Sequence, residues 1–251
     1  MKWSEESVDQ VTYDVTMPFI RMTAGPVDYT QGAMLNAAKG HFFPRRSEPM
    51  SQGTRCRQLA EYIVFHAPLS MLCDSPSNYD REPECTAFIC GVPTVWDRTV
   101  ALDGCLGEYA AVARCKGDVW YVGGLTGHEG RTVTLDLGFL GDGNFTAEIF
   151  CDGTNAAKYG HDYQRVTRTL GMDRTLEITI APAGGFIHGK LFGVLQRVAA
   201  FHGKGGGSRA AAARAAGQQQ KRCGRKCGTK PKTFRLHYSA GVSVALSKVR
   251  V

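Results

Sequence analysis

The chain has 251 residues, 43% of them hydrophobic and 21% charged, which supplies a packed core and excludes a disordered chain. Its formal charge of +7 averages two unlike parts: residues 1–190 carry all 23 Asp and Glu against 17 Lys and Arg, net −6, and the last 61 residues carry the other 13 Lys and Arg with no acid, net +13. The electrostatic argument for a polyanion partner therefore applies to the tail only.

At the start, MKWSEESVDQ has no apolar core of signal-peptide length, and the chain has no run of about 18 apolar residues to span a membrane. Ser7 is a good N-cap, and Val8, Val11, Val15 and Phe19 follow at helical spacing, which predicts an amphipathic helix from 8 to about 23, kinked at Pro18. Gly25-Pro26 stops it, because Gly takes the left-handed position after a helix and Pro cannot continue one. A short strand over Val27–Thr30 is expected next. Cys56, Leu59, Ala60, Ile63, Val64 and Ala67 then mark one face of a second helix, with Arg55, Arg57, Gln58 and Glu61 off that face. Helix, short strand, loop and helix make the rhythm of a barrel or wound sheet.

From about residue 91 short runs separated by glycines replace the helices. In RTVTLDLGFL, Val133, Leu135 and Leu137 alternate with Thr132, Thr134 and Asp136, the period of a half-buried strand. Lys116-Gly117-Asp118 lies between two such runs and predicts a hairpin turn. Six or more strands at this spacing argue for an antiparallel β-sandwich able to fold independently of residues 1–90. After Lys190 a basic, low-complexity run buries too little to order itself, so 191–251 is expected to be a largely disordered tail.

Isolated signals carry less. GGFIHGKL, residues 184–191, places Gly184, Gly189 and Lys190 as in a phosphate loop, yet Leu191 stands where Ser or Thr would hold magnesium, and the match reads as accidental. Cys223 and Cys227 have no second pair, which argues against zinc. The nine cysteines, scattered and odd in number, read as small buried hydrophobes of a reducing setting. Trp3, Trp96 and Trp120 have faces that suit sugar rings, although Trp120, between Val119 and Tyr121, reads as sandwich core.

Five ordered stretches carry a specific likeness: VDQVTYDVTMPFIRMTAGPVDYTQGAM, EPMSQGTRCRQLAEYIVFHAPLSMLCDSPSNY, VPTVWDRTVALDG, GEYAAVARCKGDVWYVGG and IAPAGGF. Through them residues 1 to about 190 resemble the C-terminal part of glycoside hydrolase family 97, the bacterial α-glucosidases and α-galactosidases. The resemblance implies an α+β chain: the last units of a catalytic (β/α)8 barrel over 1–90, an antiparallel β-sandwich over 91–190, and the basic tail over 191–251. It also implies a calcium ion in the complete enzyme, with none expected on this chain.

In a barrel, polar residues at the C-terminal end of a strand face the active site. Asp28 and Tyr29 in AGPVDYTQGAM are thus candidates for hydroxyl contacts with a sugar, though Asp after Gly-Pro is also ordinary turn chemistry. A glycosidase needs two carboxylates flanking the scissile bond. The resemblance puts the catalytic acid just before a Met-Lys-Trp stretch like Met1-Lys2-Trp3 and the other carboxylates further upstream. No catalytic residue is therefore expected here, and Glu5 and Glu6 read as first-turn charges. The complete enzyme is expected to be periplasmic or secreted and to take an oligosaccharide or α-glycoside; neither nucleic acid nor a membrane is an expected partner. A non-catalytic carbohydrate-binding or structural module, or a polyanion-binding tail, is the alternative.

Overall fold

The structure is a computed structural model that describes residues 8–38, 40–44, 47–170, 173–193, 234–237, 243–246 and 249–250. Helix α1 spans Gln10–Thr16, and Asp9 caps it by accepting from the Thr12 amide at 3.1 Å. Ser7, the expected cap, lies outside the described residues. The predicted helix to residue 23 is broken near Pro18, which lacks an N–H, and only a 3-10 turn, Arg21–Ala24, follows. Gly25, at φ 134°, ends that turn.

Strand β1 is Tyr29–Gln31, two residues later at its start than Val27–Thr30, because the Val27 amide donates to His66 rather than to a strand. Strands β2 (Leu35–Ala37) and β3 (Met50–Gln52) pair in parallel, and helix α2 (Arg55–Val64) leads to β4 (Ser70–Leu72), which runs parallel to β1. A parallel pair joined through a helix is the β-α-β arrangement. Two short helices that periodicity does not announce follow, α3 (Pro76–Arg81) and α4 (Pro83–Gly91), each beginning on a proline whose missing N–H costs nothing in a first turn.

The strand-rich half comprises β5 (Arg98–Cys105), β6 (Tyr109–Lys116), β7 (Val119–Thr126), β8 (Arg131–Asp136), β9 (Phe145–Asp152), β10 (Tyr163–Leu170), β11 (Thr175–Ile180) and β12 (Gly185–Gly193). Gly117, at φ 57°, makes the expected β6–β7 hairpin. Three further strands are described beyond it: β13 (Phe234–His237) and β14 (Ser243–Leu246) pair antiparallel, and β15 (Val249–Arg250) runs parallel to Gly104–Cys105. Residues 191–193, expected to open the disordered tail, instead complete β12, and the rest of that tail, including Cys223 and Cys227, lies outside the described residues.

One sheet has the order β10-β9-β12-β7-β6-β5-β15, antiparallel apart from β15, and the antiparallel pair β11-β8 faces it. Trp120, Val122, Ile149 and Phe186 from the large sheet meet Val133, Leu135, Leu176 and Ile178 from the pair. The opposite face of the same large sheet is also covered: Tyr121, Leu125, Phe150 and Ile187 pack with Leu59 and Ile63 of α2. The result is three layers, and α2 lies in a second core shared by both halves of the chain. GGFIHGKL becomes part of the central strand β12 rather than a phosphate loop.

Candidate functional site

Side chains alternate along β1, and the two sides of the β1–β4 pair have different fates. Asp28, just before the strand, is exposed and makes no hydrogen bond among the described residues; Thr30 and its register partner Met71 are half-buried and 44% exposed. Tyr29 points the other way, its ring edge-on to Phe65 at 4.6 Å. The Tyr29 hydroxyl donates to the Asp14 carboxylate, while Gln10 Nε2 donates to the Tyr29 oxygen at 2.5 Å and to Asp14 Oδ1 at 2.7 Å. Burial first, and then the Asp14 and Glu61 carboxylates, hold this phenol well above the usual range, so it stays protonated and donating. The two sequence candidates are therefore neighbours with different surroundings, one open to solvent and one committed to a polar core.

That polar core centres on Arg57. Its Nη1 donates to the Thr126 carbonyl at 2.7 Å and its Nη2 to the Val11 carbonyl at 2.8 Å, with Asp14 Oδ2 at 3.5 Å and Glu61 Oε1 at 3.7 Å from the guanidinium. Arg57, Asp14 and Glu61 are all fully buried. Gln58 donates to Glu61 at 2.9 Å and accepts from the Gly32 amide at 3.0 Å, and the Tyr62 and Tyr79 hydroxyls donate to the carbonyls of Gln31 and Gly32, each at 3.0 Å. The turn leaving β1 is thus held by side chains of α2 and α3.

Arg55, Arg57, Gln58 and Glu61 lie off the apolar stripe as expected, but all are buried, because α1 and β1 enclose the helix on the side away from the sheet. Arg55 bonds Asn36 Oδ1 at 2.5 Å and the Met34 carbonyl at 2.6 Å and pairs with Glu82 at 3.0 Å. The signal available in the sequence was the concentration of Arg, Gln and Glu on one short helix together with Gln10 and Asp14 one turn apart.

The N-terminus of α2 meets the turn between β11 and β12. Thr54 caps the helix by accepting from the Arg57 amide at 3.1 Å, and its own amide donates to Ala183, which sits at φ 54°. Asp152 Oδ2 accepts from the amides of Ala181 and Gly185, both at 3.1 Å, yet burial pushes its carboxyl up to about 6, against the lowering by Thr54 and these amides. Gly185 allows a close approach: a Cβ there would lie 2.7 Å from Arg57 Cα. At the other end of α2, Arg114 of β6 donates to the last carbonyls, Ile63 at 2.5 Å and Val64 at 3.0 Å.

Trp96 and Trp120 are buried in the two cores, so neither presents a face to a sugar, and Trp3 lies outside the described residues. Among the described residues no group of three or more His, Cys, Asp or Glu side chains is placed to hold a metal ion. The carboxylates flanking Arg57 are sealed from solvent and engaged, so they cannot straddle a glycosidic bond. None of the described helices is long and apolar enough to cross a membrane.

The large sheet, covered by the β11–β8 pair on one face and by α2 on the other, has counterparts among known proteins. Residues 95–189 match the family model described as glycosyl-hydrolase 97 C-terminal, oligomerisation. A retaining alpha-galactosidase of Bacteroides thetaiotaomicron is 59% identical over 186 residues, which cover 74% of this chain and 28% of that protein. A family 97 enzyme from Pseudoalteromonas sp. strain K8, solved with acarbose, is 32% identical with a TM-score of 0.64, over 74% of this chain and 29% of that one. A beta-arabinopyranosidase structure is 26% identical with a TM-score of 0.59, over 71% and 27%. Residues 95–189 carry this family's C-terminal domain, and the chain as a whole is similar to the C-terminal part of glycoside hydrolase family 97 enzymes. It spans less than a third of the length of each of these relatives.

Proposed function

We propose that this chain is the C-terminal part of a family 97 glycoside hydrolase that cleaves α-galactosidic bonds with retention of configuration. The observation that carries the reading is the 59% identity to a retaining alpha-galactosidase over 186 residues, more than residues 95–189 contain, so the likeness extends beyond the sandwich. The β-arabinopyranosidase neighbour shares the fold at lower identity, so the sandwich itself does not set the sugar. On this reading residues 8–90 are the last β-α units of the barrel, β1 is a barrel strand, and Asp28 on its open side meets a hydroxyl of the substrate. Tyr29 serves the same edge from beneath, by holding the strand.

The two catalytic carboxylates and the calcium ligands belong, in this proposal, to the part of the enzyme this chain does not span. The whole enzyme works on oligosaccharides or α-galactosides in the periplasm or outside the cell. The test is kinetic. In the full-length enzyme, Asp28→Asn is expected to lower kcat/KM for an aryl α-galactoside about tenfold, the scale of one lost hydrogen bond to substrate. The 251-residue chain alone is expected to turn over nothing; turnover by it that Asp28→Ala abolishes would refute the proposal and make Asp28 the catalyst.

A further inference from the structure

The Arg57 cluster buries one cation and two carboxylates. Replacing buried ion pairs by apolar residues is often neutral or stabilising, so such a cluster is poorly explained by stability alone. Its connections suggest another use. Arg57 reaches the last residue of a sandwich strand, Thr126, and in the same span touches α1 through Val11 and Asp14. Asp14 in turn receives the hydroxyl of Tyr29, the residue next to Asp28. Gln10 closes the loop by donating to both Asp14 and Tyr29. Three elements far apart in sequence are thereby fixed to one guanidinium, and the last link lies one peptide from the exposed carboxylate.

We propose that Arg57, through Asp14 and Tyr29, is a positioning residue for the glycosidase reaction, tying the strand that carries Asp28 to the β-sandwich. The role rests on the reading of Asp28 as a sugar contact. Strand β1 is only three residues long and pairs along one edge with the equally short β4. Two such strands have little backbone pairing to resist a small slide, whereas a substrate contact loses much of its value when displaced by about 1 Å. Tyr29 has its ring against Phe65 and its oxygen in the polar cluster, so the phenol resists both rotation and translation of the strand. The large sheet beneath, packed on both faces, gives the relay a rigid base.

Tyr29→Phe keeps the ring contact and removes only the hydroxyl, and it is the variant that keeps the fold. In the full-length enzyme it is expected to lower kcat/KM for an aryl α-galactoside about fivefold, together with a lower Tm from the hydrogen bond that the buried Asp14 carboxylate loses. In a double-mutant cycle with Asp28→Asn, the penalty of Asp28→Asn should shrink at least threefold in the Tyr29→Phe background, because a misplaced carboxylate has less to lose. A purely structural role of Tyr29 would lower Tm alike but leave the two kinetic effects multiplicative. Arg57→Lys, which keeps the charge and loses the two-armed geometry, should reproduce the Tyr29→Phe defect. Multiplicative effects, or wild-type kinetics for Tyr29→Phe, overturn the relay while leaving the Asp28 reading intact. An Asp28→Asn enzyme with wild-type kcat/KM, or a full-length enzyme with no glycosidase activity, overturns the Proposed function and the relay with it.

Discussion

Two buried titratable groups in the sandwich half oppose each other, and separating them gives a sharp test of the packing. His188 of β12 is fully buried with its ring 6.2 Å from Phe186, and neither ring nitrogen has a hydrogen-bond partner. Burial first, and then the positive charge of Arg168, depress it from 6.5 to about 3. The unfolded chain therefore binds a proton that the folded chain refuses, and stability is full above pH 6.5 and falls as pH drops towards 3. Between pH 7.5 and pH 5 this costs about 2 kcal/mol. Asp152 has the opposite sign. Its carboxyl is raised from 3.8 to about 6, so the folded chain takes up a proton first, and over the same interval stability rises by about 1.4 kcal/mol.

In the wild-type chain the two contributions nearly offset, leaving a net loss of about 0.6 kcal/mol. His188→Leu, similar in volume and without a nitrogen to protonate, should make the chain more stable at pH 5 than at pH 7.5 by about 1.4 kcal/mol. Asp152→Asn should make it less stable by about 2 kcal/mol over that interval. Urea unfolding at the two pH values, followed by tryptophan fluorescence, measures both, since Trp96 and Trp120 report one core each. The lowered carboxyls Asp9, Glu84 and Asp97 act equally in all three proteins and cancel in the comparison. If His188→Leu shows the same pH dependence as the wild type, the imidazole is not held neutral in a dry core and the reasoning fails.

Three further outcomes are expected. Gly185→Ala puts a methyl group against the Arg57 backbone at 2.7 Å and should destabilise by about 1–3 kcal/mol, read as a lower urea midpoint; an unchanged midpoint would show that α2 does not sit this close. Arg57→Met leaves Asp14 and Glu61 buried without their cation and should cost about 3–5 kcal/mol, with much of the loss restored when Asp14→Asn and Glu61→Gln are added. Chelation with EGTA should abolish turnover by the full-length enzyme while leaving the Tm of this chain where it was; a fall in that Tm would place a metal on these residues.

Sequence periodicity was a good guide where one face of an element decides its fate. The stripe from Cys56 to Ala67 predicts α2 and its packing, the alternation of Val133, Leu135 and Leu137 predicts β8, and Gly117 marks the hairpin. It was a poor guide wherever a second neighbour arrives from a distant part of the chain. Arg57 looks like a solvent-facing residue because nothing near it in sequence shows that Thr126 and Val11 supply its acceptors. Tyr29 and Asp28 look alike for the same reason: alternation separates them onto two sides, but only the docking of α1 shows which side is closed. Helices α3 and α4 are too short for a periodic signal, and their prolines read equally well as loop chemistry.

The stretches that resemble the family best are also those that build the junction between the two halves. AGPVDYTQGAM supplies Tyr29 and the turn at Gly32, GTRCRQLAEYIVF supplies Thr54, Arg57 and Glu61, and IAPAGGF supplies the Ala183 turn and Gly185 beneath the helix. A sandwich that merely trailed behind a catalytic unit would need no such fit on its outer face. Instead, Tyr121, Leu125, Phe150 and Ile187 complete a core with α2, and Arg114 caps the far end of that helix. Cut from residues 8–90, the large sheet would expose that apolar face to water. The same contacts that make the halves interdependent also fix β1 relative to a rigid sheet, which is the geometry a sugar-facing edge requires.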